Sequence, residues 1–296
     1  MFLRAGRRSG SGENSPAGTD RTDPAGHPDR AEHTAHADRA AHADRAEPAA
    51  GQDPGDVVVR LESVRRVYGT ARNEVHALRG ISLSFARGGF TSVMGPSGSG
   101  KSTFLHCAAG LDRPTAGRVY VGGTELGTLD ETALTVLRRE ELGFVFQGFN
   151  LVPSLTVEQN ITLPLRLSRR RVDRAWLDDV VGRTGLGDRL RHRPAELSGG
   201  QQQRVAVARA LIARPTVVFA DEPTGSLDLR TGREILALLR HAVDGLRQTV
   251  IMVTHDPAAA SHTDDVLFLA DGQLAGALPA PTAAAVAERL ARLGED

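Results

Sequence analysis

Phe90-Thr91-Ser92-Val93-Met94, then Gly95-Pro96-Ser97-Gly98-Ser99-Gly100-Lys101-Ser102, then Thr103, runs from an apolar strand through a glycine-rich turn into a helix. The turn has the spacing Gly-x-x-x-x-Gly-Lys-Ser, and each position has a physical task. Glycines let the backbone curl so that its N–H groups converge on one point, where an anion can sit. The helix that follows adds its dipole and its unpaired N–H groups. The Lys101 ammonium can reach terminal phosphates, and the Ser102 hydroxyl can bind Mg²⁺. Lys101 is also the one lysine among 36 basic residues. A lysine kept against so strong a bias towards arginine marks a place where a planar guanidinium does not serve.

Working outward, strands are expected at Val57–Leu61, Ile81–Phe85, Arg118–Val121, Gly143–Phe146, Val217–Ala220 and Val250–Val253. Helices are expected at about Lys101–Ala109, Gly200–Ile212, Thr231–Val243 and Thr282–Leu293. Residues Thr156–Arg193 read as mainly helical, with a break at Pro164. Strands alternating with helices argue for a largely parallel sheet covered on both faces. The helical stretch over about 150–200 then reads as an insertion.

The folded part is expected over 56–296. Residues 1–55 are rich in Ala, Gly, Pro, Asp, Arg and His, and the hexapeptide Ala-His-Ala-Asp-Arg-Ala occurs twice in tandem at 35–40 and 41–46. Such a segment buries too little apolar surface to offset its ordering entropy, so a disordered low-complexity tail is expected there. Its four histidines recur with the repeat and without cysteine, which disfavours a metal site. The start, MFLRAGRRSG, has basic residues but no apolar segment after them, so no secretory signal is expected. No apolar run reaches the roughly 18–20 residues of a membrane-spanning helix. The single cysteine, Cys107, excludes an internal disulfide framework and reads as core filler. Acidic and basic residues balance at 36 each, which leaves no bulk electrostatic case for nucleic acid as a partner.

Thr216-Val217-Val218-Phe219-Ala220-Asp221-Glu222 is an apolar run ending in two carboxylates. A buried strand places both at its C-terminal edge, where open α/β sheets bind ligands. Asp221 can hold the shell of a Mg²⁺ ion, and Glu222 can accept a proton from an attacking water. Alone this motif is common, but downstream of a phosphate-binding loop it gains weight.

Leu197-Ser198-Gly199-Gly200-Gln201, followed by Gln202-Gln203-Arg204, resembles the signature of the ABC-type ATPases. Other elements follow in that family's order. Gln147 matches the Q-loop glutamine and a metal ligand, Ser226-Leu227-Asp228 the D-loop, His255 the switch histidine, and Tyr68 the aromatic that stacks on adenine. The resemblance covers about 57–275. It implies an α/β P-loop NTPase (RecA-like) core with an N-terminal antiparallel β subdomain and an inserted α-helical subdomain. It also implies ATP and Mg²⁺ as ligands and a homodimer of cassettes when ATP is bound, the signature of one copy facing the phosphate loop of the other. Lys101, Gln147, Glu222 and His255 are then the catalytic set. Gly95–Thr103, Tyr68, Gln147 and Asp221 hold nucleotide, and Ser102, Gln147 and Asp221 hold the metal. Asp228 ties the two sites together.

The strings EVHALRGISL (74–83), GLDRPTAGRVYVGG (110–123), GFVFQGFNLVPSLTVEQN (143–160) and ADEPTGSLD (220–228) resemble the branch typified by MacB and LolD. Two positions depart from that branch, where Ser226 often has asparagine and Gln201 often has glutamate. The branch implies an ATPase peripheral on the cytoplasmic face of the membrane, bound to separate permease subunits and serving export or envelope-directed transport. The alternative is an ABC ATPase acting on nucleic acid or ribosomes. One cassette, one cysteine and the short interval from Gln147 to Ser198 disfavour it.

Overall fold

A computed structural model describes residues 56–70 and 73–294; the expected tail over 1–55 lies outside the described residues. Among the described residues, ten strands and nine α-helices follow in chain order: β1 (Val57–Tyr68), β2 (Val75–Ala86), β3 (Phe90–Met94), α1 (Lys101–Ala108), β4 (Ala116–Val121), β5 (Thr124–Glu125), α2 (Glu131–Glu141), β6 (Leu142–Phe146), α3 (Val157–Ile161), α4 (Leu163–Leu167), α5 (Arg174–Thr184), α6 (Gly199–Leu211), β7 (Val217–Asp221), α7 (Leu229–Leu246), β8 (Thr249–Val253), α8 (Pro257–Ala260), β9 (Asp265–Ala270), β10 (Gln273–Pro279) and α9 (Ala283–Leu293).

The strands form two sheets. A four-stranded antiparallel sheet has the order β2-β1-β4-β5, and a six-stranded sheet has the order β10-β9-β3-β8-β7-β6. In the second sheet every pairing is parallel except β10 with β9. The period of two along each strand sorts its side chains to the two faces. On β7, Val217 and Phe219 join one core while Val218 and Ala220 join another. On β8, Ile251 and Val253 go to the first and Val250 and Met252 to the second. The first core also takes Phe104 and Leu105 of α1 and Leu61, Phe85 and Val119 of the antiparallel sheet, so α1 lies between the two sheets. The second core takes Ile235, Leu236 and Leu239 of α7.

A third core collects Val157, Ile161, Leu165, Leu177 and Val181 from α3, α4 and α5. Helix α6 belongs to two cores at once. Val205 and Ala208 pack into the third, and Val207, Ala210 and Leu211 into the second. A helix apolar on both sides is one that is sandwiched, and α6 joins the helical segment to the sheet.

Several elements differ from the expectation. Strands β1 and β2 extend well past the expected cores, because polar residues on their exposed face obscured the alternation; register shifts interrupt their pairing. Helices α2 and α8 and strands β5, β9 and β10 were not foreseen. The helical stretch breaks at Thr162, between α3 and α4, and again over 168–173, between α4 and α5. Pro164 sits in the first turn of α4, where its missing N–H costs nothing. Among the described residues, no helix is long and apolar enough to cross a membrane.

Helix α6 also approaches α7 closely. A Cβ at Gly200 would lie 2.2 Å from Thr231 Cγ2. Gly200→Ala is expected to destabilise the fold by about 1–3 kcal/mol through overpacking. Adding Thr231→Ser, which removes that methyl group, should restore most of the loss in thermal or denaturant unfolding. A Gly200→Ala chain as stable as the parent would contradict the contact.

Candidate functional site

The parallel register brings the site together. Val93 of β3 pairs with Val253 of β8, Val253 with Asp221 of β7, and Asp221 with Phe146 of β6. The loops that leave these strands, carrying Gly95–Gly100, His255, Glu222 and Gln147, therefore start along one edge of the sheet.

In the phosphate loop, Gly95 (φ 154°) and Gly100 (φ 97°) adopt backbone conformations that L side chains rarely reach. Space forbids a side chain at both as well. A Cβ on Gly95 would lie 2.0 Å from the Leu269 carbonyl oxygen, and one on Gly100 2.3 Å from that of Ala77. Lys101 opens α1 and folds back over the loop, its Nζ donating to the carbonyl oxygens of Gly95 and Pro96, both at 2.9 Å. Burial lowers the Lys101 pKa, and the Glu222 carboxylate opposes that shift. Ser99 is buried and its hydroxyl has no hydrogen-bond partner among the described residues. Pro96, Ser97, Gly98 and Ser102 are exposed, and Thr103 is half-buried on α1.

Asp221 ends β7, and burial there raises its pKa; nearby His106 opposes the rise and Glu222 adds to it. Glu222 sits at φ 46°, a left-handed conformation that costs about 1–3 kcal/mol for a side-chain-bearing residue. Two contacts hold it. Its N–H donates to the Val253 carbonyl at 2.9 Å, and its Oε1 lies 2.8 Å from His255 Nδ1. The carboxylate is thus paired with the histidine. A cavity of about 240 Å³ is lined by Glu222, His255, Gly225 and Asp228 among others.

The exposed side chain of Gln147 runs against Gly225, where a Cβ would lie 2.8 Å from its Nε2. The Ser226 hydroxyl donates to the Gln147 carbonyl at 3.0 Å, so the D-loop and the glutamine loop touch. Asp228 caps α7, accepting from the N–H groups of Arg230 and Thr231 and from the Thr231 hydroxyl. The Thr231 bonds, backbone first, hold its pKa below the usual carboxylate value.

Ser198 and Gln201 close a reciprocal cap at the start of α6. The Ser198 Oγ accepts from the Gln201 N–H, and the Gln201 Oε1 accepts from the Ser198 N–H at 2.9 Å. Glutamate can make the same second bond, which explains why either residue fits this position. Gly199 faces Phe149 and Leu227, and no hydrogen bond among the described residues joins Leu197–Gln201 to the phosphate loop.

Tyr68 closes β1 and is 37% exposed. Its hydroxyl donates to Asp112 Oδ2 at 2.6 Å, and the Arg66 guanidinium lies 4.4 Å from its ring centroid while bonding both Asp112 oxygens. Arg66 and Asp112 were missed as site residues, since nothing in an isolated Arg or Asp announces a buttress. Cys107 is buried, and burial pushes its thiol up to about 12, so it is no nucleophile.

The sequence pattern of the family described as ABC transporter matches residues 78–225. The Bacitracin export ATP-binding protein BceA of Halalkalibacterium halodurans is 39% identical over 219 residues, covering 73% of this chain and 87% of that one. The chain belongs to the ABC transporter family. Its ABC fold is matched by the solved dimeric structure of a post-hydrolysis state of the ATP-binding cassette MJ0796 bound to ADP and Pi. That match has a TM-score of 0.69 and 39% identity, and covers 75% of this chain and 98% of that one. The Macrolide export ATP-binding/permease protein MacB of Shigella flexneri is 43% identical over 227 residues. The alignment takes in 75% of this chain but only 35% of MacB, so this ABC protein spans about a third of that relative's length.

The pairing of Glu222 with His255 leads to a direct expectation. Glu222→Gln should keep ATP affinity while slowing hydrolysis by roughly 10²–10⁴-fold. Parallel measurement of turnover and of nucleotide binding checks this, and undiminished turnover would remove Glu222 from the role of base.

Proposed function

We propose that this chain is the ATP-hydrolysing subunit of an ABC transporter of the MacB/LolD type, driving export or envelope-directed transport through permease subunits on other polypeptides. The observation that carries the reading is the convergence of Lys101, Asp221, Glu222, His255 and Gln147 on one sheet edge. The names of the MacB and BceA relatives support export as the direction of work.

ATP would bind with its phosphates in the curl of Gly95–Ser102. Lys101 would exchange its carbonyl partners for phosphate oxygens, and Tyr68, braced by Arg66, would stack on the adenine. Ser102, Gln147 and Asp221 offer a hydroxyl, an amide oxygen and a carboxylate, an all-oxygen set that suits Mg²⁺ completed by phosphate and water. When bound, Mg²⁺ would neutralise charge on the β- and γ-phosphates. Glu222 takes the proton of the attacking water onto its carboxylate, and His255, hydrogen-bonded to that carboxylate, orients it and reaches for the γ-phosphate.

The dimeric form of the solved MJ0796 cassette supports a composite site. A second copy would supply its signature, whose Gly199 and Gly200 present backbone N–H groups at the start of a helix. Asp228 and its neighbours would face each other across that interface. Opening and closing of the pair, set by the γ-phosphate, would reach the membrane through Gln147 and the α3–α5 segment. The cassette would occupy 56–296 and sit on the cytoplasmic face of the membrane through its permease.

Purification of tagged Glu222→Gln protein with ATP from detergent-solubilised membranes tests the reading. A stoichiometric membrane protein in the eluate is expected. Ribosomes or nucleic acid, with no membrane protein, would overturn it.

A further inference from the structure

Helix α6 grips the backbone on both sides of Gln147. Gln203 is fully buried, and its Nε2 donates to the carbonyls of Phe146 at 3.2 Å and Pro223 at 2.6 Å. These are the residues just before Gln147 and just after Glu222. Six residues further along α6, Arg209 donates from Nη1 to the Asn150 carbonyl at 2.5 Å and from Nη2 to the Phe149 carbonyl at 2.9 Å.

The turn that Arg209 holds is strained. Phe149 and Asn150 lie at φ 59° and 49°, two successive side-chain-bearing residues in the left-handed region. Such a pair persists only where its surroundings over-determine it. Arg209 itself is held at a cost. Burial alone shifts its pKa, and the shift is downward, with no carboxylate entering as a cause. A desolvated cation whose partners are two backbone carbonyls has a geometric use, because the guanidinium fork matches two adjacent acceptors where an ammonium offers a point charge.

We propose that Arg209 is a positioning residue for ATP hydrolysis: its fork locks the left-handed turn at Phe149–Asn150 and so sets where the Gln147 side chain stands beside the Glu222 site. Arg209 shares α6 with Ser198–Gln201, so the helix that offers its N-terminus to a second copy also fixes Gln147 of its own copy. Displacement of α6 then moves Gln147 without any contact between that glutamine and the signature. This rests on the reading of Gln147 as a ligand in the hydrolytic site.

The test is a double-mutant cycle on the full-length chain, reading kcat and KM for ATP with Mg²⁺. Arg209→Lys keeps the charge and loses the fork. Arg209→Gln removes the charge and keeps an amide donor, and it serves where the lysine variant does not fold. Either is expected to lower kcat by roughly 10- to 100-fold, as a misplaced catalytic contact does, with KM for ATP within about twofold of the parent. In combination with Gln147→Ala, which slows hydrolysis by itself, neither should slow it further. Multiplying losses in the double variant, or a parental kcat in both Arg209 variants, would overturn the proposal and leave the hydrolytic reading standing. A Gln147→Ala chain of parental kcat would overturn the reading of Gln147 and the proposal with it.

Discussion

Everything at the site depends on the register of four parallel strands. Val93, Val253, Asp221 and Phe146 stand in one line across β3, β8, β7 and β6, so four loops start level with each other. A slip of one residue in β7 would exchange the Val217/Phe219 and Val218/Ala220 sets between the two faces and move Asp221 off that line. Both faces of the strand are buried, so the slip is resisted by packing on either side. The same pairing continues one residue past β7, where the Glu222 N–H meets the Val253 carbonyl and holds the glutamate in its left-handed conformation. The sheet thus sets the direction of the carboxylate as well as its place.

Helix α6 is the second organising element. It faces the sheet with Val207 and Leu211 and the helical segment with Val205 and Ala208, and it touches the backbone at Phe146, Phe149, Asn150 and Pro223. Its first turn, capped by Ser198 and Gln201, is joined by hydrogen bonds to no part of the phosphate loop among the described residues.

The sequence made the phosphate loop and the buried strands legible because their signals are local. Gly95–Ser102 carries its chemistry in residue type, and Val217–Ala220 and Val250–Val253 are apolar on both faces. What stayed hidden depends on partners far along the chain. The ends of β1 and β2 are polar, and their extent is set by pairing across the hairpin. Strands β9 and β10 exist because β3 offers β9 an edge. The breaks fall at Thr162 and over 168–173 and not at Pro164, because a proline in a first helical turn interrupts nothing. Arg66, Asp112, Gln203 and Arg209 act through contacts with backbone or ring atoms brought near by the fold, and their side-chain types alone give no hint of it.

The central claim is that one copy of this chain holds half of each hydrolytic site and that ATP joins two copies. Sedimentation velocity of the full-length Glu222→Gln protein, with saturating ATP and then without nucleotide, tests it most directly. The account predicts a dimer with ATP and a monomer without nucleotide. A monomer under both conditions, with ATP bound, would contradict it.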